Sequence, residues 1–295
     1  MKTKAAESSD LSAGARNGFS LISPAKLRQL HATMLQCRAI EEHAKTLPRT
    51  KRARKPLVSE AIAAGIAIDL RAGDWIAPHR DDRIVSFVKG LPLSALFSTR
   101  SSGTHGDVAV RETTALNIIP PAPSIAAQFN IAIGIALANK AKNNGNIVVA
   151  FTVGASNSLH HDALDFAAAH ALPMLFVTHN RLPARPPARK APKSSAIGAM
   201  FHNSAIPVIP VDAHDVVAIY RVAYESIQKA RQRGGPTLIE GVTIPAEKNH
   251  EGKRSAQNRT DPIARMQAYL AAKGLFSPTW EDTIIKRFVK ELRSS

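Results

Sequence analysis

A single cysteine in 295 residues excludes an internal disulfide, and one thiol does not build a structural zinc site. Cys37 falls in the apolar series Leu30, Met34, Leu35, Cys37, Ile40, a pattern that predicts a small buried hydrophobe rather than a catalytic thiol. Aromatic residues make up only 5% of the chain, which leaves little for a base-stacking surface. No run of 18 apolar residues occurs, and the opening MKTKAAESSDLSAGARNGFS lacks the continuous apolar stretch of a signal peptide. The expectation is a cytoplasmic protein with no membrane contact. Acid is scarce as well: 23 Asp and Glu stand against 39 Lys and Arg, a net charge of +16. Such an excess favours anionic ligands, polyanions or acidic partners and carries no information about fold.

What the chain does have is a regular alternation of apolar runs. The first 20 residues, rich in Ser, Ala and Gly, read as a disordered arm. Ser23 and Pro24 then open a helix through SPAKLRQLHATMLQCRAIEEHAK, with Ser23 as N-cap and Pro24 at the first helical position. A second helix is expected over SEAIAAGIAIDLRAG, ending near Gly73, then a short strand in DWIAPHRDD and a third helix over 84–98. Residues 101–123 read as an irregular binding loop. The helix SIAAQFNIAIGIALANKAK follows, built of small and apolar residues.

From 146 onward, strands at 146–152, 173–178, 205–211 and 236–243 alternate with helices at 159–169, 194–202 and 215–231. Continuously apolar strands separated by helices predict a doubly wound, mostly parallel α/β sheet covered on both faces. The tail reads as two amphipathic helices parted at Gly274 and restarted at Pro278, packed as a C-terminal helical appendage. The expected division is an arm at 1–20, an α/β domain at 21–250 and a helical extension at 251–295. Basic residues concentrate in 45–55, KTLPRTKRARK, and in the proline-rich 181–193, RLPARPPARKAPK.

Ligands of such sheets sit beyond the carboxyl ends of the strands. There the sequence offers F-T-V-G-A-S-N-S-L-H-H-D after the first of these strands and T-H-N-R-L after the second. A hydroxyl at Thr152 or Ser156 and the Asn180 amide are placed to face one another. The first loop holds no carboxylate before Asp162, which falls inside the next helix. His160 and His161 are adjacent on that helix and so point apart, which favours structural or solvent roles. His79, Arg80, Asp81 and Asp82 form either a salt-bridged turn or an anion site in which the Arg80 guanidinium meets diphosphate oxygens.

These motifs, in this order, resemble the alpha subunit of the thiamine diphosphate-dependent decarboxylating component of 2-oxo acid dehydrogenase complexes. The resemblance runs over residues 24–295. It is carried by R-A-I-E-E at 38–42, S-E-A at 59–61, A-G-D at 72–74 before H-R-D at 79–81, and A-A-Q-F-N-I-A-I-G-I-A-L-A-N-K at 126–140. L-P-M-L-F-V-T-H-N at 172–180, V-D-A-H-D at 211–215, G-P-T-L-I-E at 235–240 and D-P-I-A-R at 261–265 complete it. The resemblance implies a thiamine diphosphate-binding fold, thiamine diphosphate with Mg2+ as cofactors, and a beta subunit in an α2β2 assembly or, failing that, a self-dimer. It also implies acyl transfer to a lipoyl group on the acyltransferase core.

Carried over residue by residue, the resemblance places His79, Arg80, Ile125, Ala155 and Asn180 at the cofactor, and Thr152 and Asn180 at the metal. It assigns no catalytic residue. The family's G-D-G falls on Phe151-Thr152-Val153, or in a shifted alignment on Gly154-Ala155-Ser156, so the metal-binding Asp is replaced by Thr152 or by Ala155. The family's asparagine pair falls on His179 and Asn180 or on Asn180 and Arg181. The segment EKNHEGKRSAQNRTD keeps His250 but not the family's H-S-x-S-D motif. Three readings follow: an alpha-type subunit with an altered metal site; a non-catalytic paralogue in which Arg181 or Lys190 supplies the missing positive charge; and a nucleic-acid binder using the two basic runs. The last lacks any accompanying recognition motif.

Overall fold

The computed structural model describes residues 22–47, 58–79, 82–97, 112–153, 159–181, 206–243 and 261–294. The helix expected at 194–202 and nearly all of both basic runs fall outside them.

The first helix, α1 (Pro24–Thr46), starts where the sequence indicates: the Ser23 hydroxyl accepts from the Lys26 amide and Pro24 occupies the first turn. Leu27, Leu30, Met34, Cys37 and Ile40 form its buried face. Cys37 is fully buried, and burial pushes its thiol well above the ordinary range, which fits an inert packing residue. The second helix, α2 (Glu60–Ala67), is capped by Ser59 and ends earlier than its apolar pattern suggests. The cause lies downstream, where Arg71 donates its amide to Asp74 Oδ2 at 2.7 Å and draws the chain into a turn. The helix expected over 84–98 is split into α3 (Arg83–Val88) and α4 (Leu93–Leu96). Gly90, at φ +110°, and Pro92 interrupt it.

Five strands, β1 (Trp75–Ala77), β2 (Val148–Val153), β3 (Met174–Arg181), β4 (Val208–Asp212) and β5 (Thr237–Thr243), form one parallel sheet in the order β1-β2-β3-β5-β4. Between β1 and β2 runs α5 (Ile125–Lys142), and between β2 and β3 runs α6 (Leu159–Ala169). Both cover the face carrying Ala150, Met174, Phe176 and Leu238. The return from β4 to β5 passes through α7 (Val216–Arg231), which covers the opposite face with α1 and α2, over Val149, Phe151, Val177 and Ile239. Progression one way on one face and return on the other is what right-handed crossovers require, and it makes the sheet doubly wound.

Close approach on the α7 face depends on two glycines. A Cβ at Gly65 would lie 2.7 Å from Ile219 Cγ2 and 3.2 Å from the Tyr220 backbone nitrogen, and one at Gly241 would lie 2.6 Å from Ile62 Cδ1. At the amino end of the sheet Asp74, with no exposed surface, meets Arg231 at 2.5 Å and accepts from the Ile147 amide, while Arg231 also donates to Gly145 O. This pair ties the start of β1, the entry to β2 and the last turn of α7 together.

The C-terminal helices α8 (Pro262–Ala272) and α9 (Pro278–Ser294) are parted at Gly274, at φ +66°. They pack on α1, with Ile263, Met266, Leu270, Phe288 and Leu292 in the same apolar cluster as Leu30 and Met34. Buried His31 of α1 lies 2.7 Å from Glu281 Oε2, stacks on Trp280 at 5.9 Å, and shares Glu281 with the Gln267 amide.

Candidate functional site

Strand register decides which chemistry is brought together. Ala77 pairs with Ala150, Ala150 with Phe176, and Phe176 with Leu238, so these four form one apolar rung beneath α5 and α6. Two residues further toward the carboxyl ends, side chains return to the same face. The residues there are Thr152, Thr178 and Glu240, paired in register, while His79 lies two positions beyond the last paired residue of β1. One step along the sheet therefore changes a hydrocarbon rung into a polar one, at the end where α/β folds bind ligands.

Each member has a distinct setting. Thr178 is 1% exposed and Thr152 7% exposed, and neither hydroxyl has a hydrogen-bond partner. Buried polar atoms are almost always paired, so two orphans side by side call for an explanation. Glu240 has no exposed surface, and its Oε1 accepts from Asn180 Nδ2 at 3.0 Å. The sequence places Asn180 in a loop; it lies instead inside β3, because β5 runs alongside and pairs with β3 as far as Arg181 and Thr243. On the opposite face of β3, His179 Nε2 meets Thr243 Oγ1 at 2.8 Å.

At the β1 end, half-buried His79 accepts from the Asp82 amide through its carbonyl at 2.8 Å. Ile125 begins α5, whose cap is Ser124 accepting from the Ala127 amide. Gln128, one turn in, joins the two: its Nε2 donates to Pro78 O and its Oε1 accepts from the Ala122 amide, both at 2.9 Å. The structure thus draws His79, Ile125, Thr152 and Asn180 to one end of the sheet. Arg80 and Ala155 lie outside the described residues, and the side chains of His160, His161 and Arg181 are likewise undescribed.

Sequence reasoning gave no role to Gln128 or Glu240. The signals were an amide on an apolar helix face and an acid within a buried strand. Both are explained only by pairing across long sequence separation.

A divalent metal does not fit this set. Among the described residues no group of three or more His, Cys, Asp or Glu side chains is placed to hold a metal ion. Mg2+ bound with phosphates ordinarily uses one or two carboxylates. Position 152 supplies a hydroxyl, and the one acid of the rung, Glu240, stands two strands away on β5, where it accepts from Asn180.

Comparison with known proteins places the whole arrangement. Residues 34–294 match the family described as the dehydrogenase E1 component. The pyruvate dehydrogenase E1 component subunit alpha of Acholeplasma laidlawii is 29% identical over 254 residues, covering 80% of this chain and 72% of that protein. The 3-methyl-2-oxobutanoate dehydrogenase subunit alpha of Mycobacterium tuberculosis is 30% identical over 248 residues, covering 80% and 66%. The Staphylococcus epidermidis pyruvate dehydrogenase E1 component subunit alpha is 25% identical over 240 residues, covering 77% and 64%. The chain thus spans about two thirds to three quarters of these relatives' lengths. With its parallel five-stranded sheet and the ordered motifs along it, the chain belongs to the dehydrogenase E1 component family and is of the alpha-subunit type.

Proposed function

We propose that this chain acts in the cytoplasm as the alpha-type subunit of a decarboxylating 2-oxo acid dehydrogenase component, taking thiamine diphosphate at the carboxyl ends of β1, β2 and β3. The polar rung of Thr152, Thr178 and Glu240, with His79 beyond the end of β1, carries this reading, because it lies toward the carboxyl ends of the strands and two of its hydroxyls are unpartnered. When bound, thiamine diphosphate supplies the electron sink for decarboxylation of a 2-oxo acid. The chain's own contribution is position and electrostatics. Gln128 ties the Pro78 carbonyl, next to His79, to the Ala122 amide ahead of α5, Asn180 is oriented by Glu240, and Arg80 and Ala155 complete the set by family correspondence. The acceptor of the acyl group is a lipoyl group on an acyltransferase core.

A beta-type chain completes the site, in an α2β2 assembly. Its docking is supported by the outer face of α5 and α6, where Ile131 is 46%, Leu137 43% and Phe166 42% exposed. Gly134, in the same stripe, has open space where a side chain would stand. Clustered apolar surface of this kind marks subunit contacts. No described helix is long and apolar enough to cross a membrane.

A second reading, a paralogue that keeps the fold and subunit contact without catalysis, is favoured by residue identity: Thr152, or Ala155 in the shifted alignment, falls where the resemblance expects the metal carboxylate. Co-expression with a beta-type chain, followed by thiamine diphosphate-dependent ferricyanide reduction with pyruvate and branched-chain 2-oxo acids, separates the two. Turnover that needs both chains supports the enzyme. Stable association without turnover on any of these acids supports the paralogue, and absence of both association and turnover removes the alpha-subunit reading.

A further inference from the structure

We propose that the carboxyl ends of β2 and β3 form a metal-independent diphosphate site, in which the Thr152 and Thr178 hydroxyls donate directly to the anion. The inference rests on the cofactor reading above and deepens it. In the ungapped correspondence with the family a carboxylate stands at position 152, where it would hold the cation that joins it to the diphosphate. A hydroxyl reverses that logic. It carries no charge to neutralise, and its proton is available to the anion itself.

Three features of the structure support the assignment. The register sets Thr152 directly opposite Thr178, so the two hydroxyls belong to adjacent strands on one face. Both are more than nine-tenths buried, and both lack a hydrogen-bond partner. Groups kept in that condition represent a cost to the unliganded fold that a ligand's oxygens would remove. Finally, the acid of the rung lies away from position 152: Glu240 stands on β5, on the far side of β3, where its Oε1 accepts from Asn180 Nδ2. The chain's net charge of +16 adds a general attraction for an anion.

Isothermal titration of the full chain with thiamine diphosphate, alone and with its beta-type partner, tests this in EDTA and in excess Mg2+. The expected result is saturable binding of similar affinity in both buffers. Thr152→Val should weaken binding in EDTA by about tenfold or more, the size expected for losing a hydrogen bond to a charged group. Thr152→Asp should abolish binding in EDTA and restore it with Mg2+. Wild-type binding that vanishes in EDTA and returns with Mg2+ overturns the inference while leaving the cofactor reading intact. Unchanged affinity of Thr152→Val in EDTA, with circular dichroism confirming the fold, also overturns it. Failure to bind in either buffer, even with the partner present, removes the cofactor reading and this inference together.

Discussion

Thr152 of β2 pairs in register with Thr178 of β3, and both hydroxyls are buried without a partner. An unpaired buried hydroxyl costs the fold about 1–3 kcal/mol, whereas an apolar group of the same shape does not. Thr152→Val and Thr178→Val should therefore each raise the stability of the unliganded chain, by about 1 kcal/mol. Urea denaturation without ligand measures this. A clear loss of stability would mean that the hydroxyls are satisfied within the fold.

The Asp74 and Arg231 pair should behave in the opposite way. Removing one partner of a buried ion pair leaves an uncompensated charge and costs about 3–5 kcal/mol. Asp74→Ala and Arg231→Ala should each lower the denaturation midpoint steeply, and the double variant should lose less than the sum of the two. Additive losses would show that the 2.5 Å contact contributes no coupling.

Much of this architecture was legible in the sequence, for physical reasons that differ between elements. The start of α1 could be read because Ser23 and Pro24 act locally, on amides within one turn. The strands could be read because a sheet covered on both faces needs continuous apolar runs. The break at Gly90 was hidden because the apolar pattern continues across it. Site chemistry was partly legible: that neither Thr152 nor Ala155 carries a carboxylate is a matter of residue identity alone. The rung was not, because Thr178 and Glu240 lie 62 positions apart in the chain and pair only once β5 lies beside β3. The position of Asn180 within a strand depends on the same pairing.

Acid-base behaviour gives a third prediction. Burial pushes the Glu41 carboxyl up to about 7 from its ordinary 4.5, against the opposing attraction of Arg83. Its folded value lies above its unfolded one, so its contribution to stability is full below about 4.5 and is lost as pH rises toward 7. His31 acts in the other direction. Burial lowers its value below 6.5 despite Glu281, so its contribution is present above 6.5 and is lost as pH falls. Glu41→Gln should flatten the decline in denaturation midpoint between pH 4.5 and 7. An unchanged slope would remove Glu41 as its source.

The exposed stripe on α5 gives a fourth. Leu137→Glu places a charge on a surface that is 43% exposed in the single chain, so the melting temperature should change little. If the stripe is the subunit contact, association with the beta-type chain in size-exclusion chromatography should be lost. Retained association at full strength would place the contact elsewhere.

The central claim, that the ends of β2 and β3 receive a diphosphate without a metal, is tested most directly by crystals of the full chain and its partner grown with thiamine diphosphate and Mn2+. The account predicts a diphosphate oxygen within hydrogen-bonding distance of Thr152 Oγ1 and no anomalous Mn2+ peak beside it. An anomalous peak bridging the diphosphate and Asn180 would contradict it.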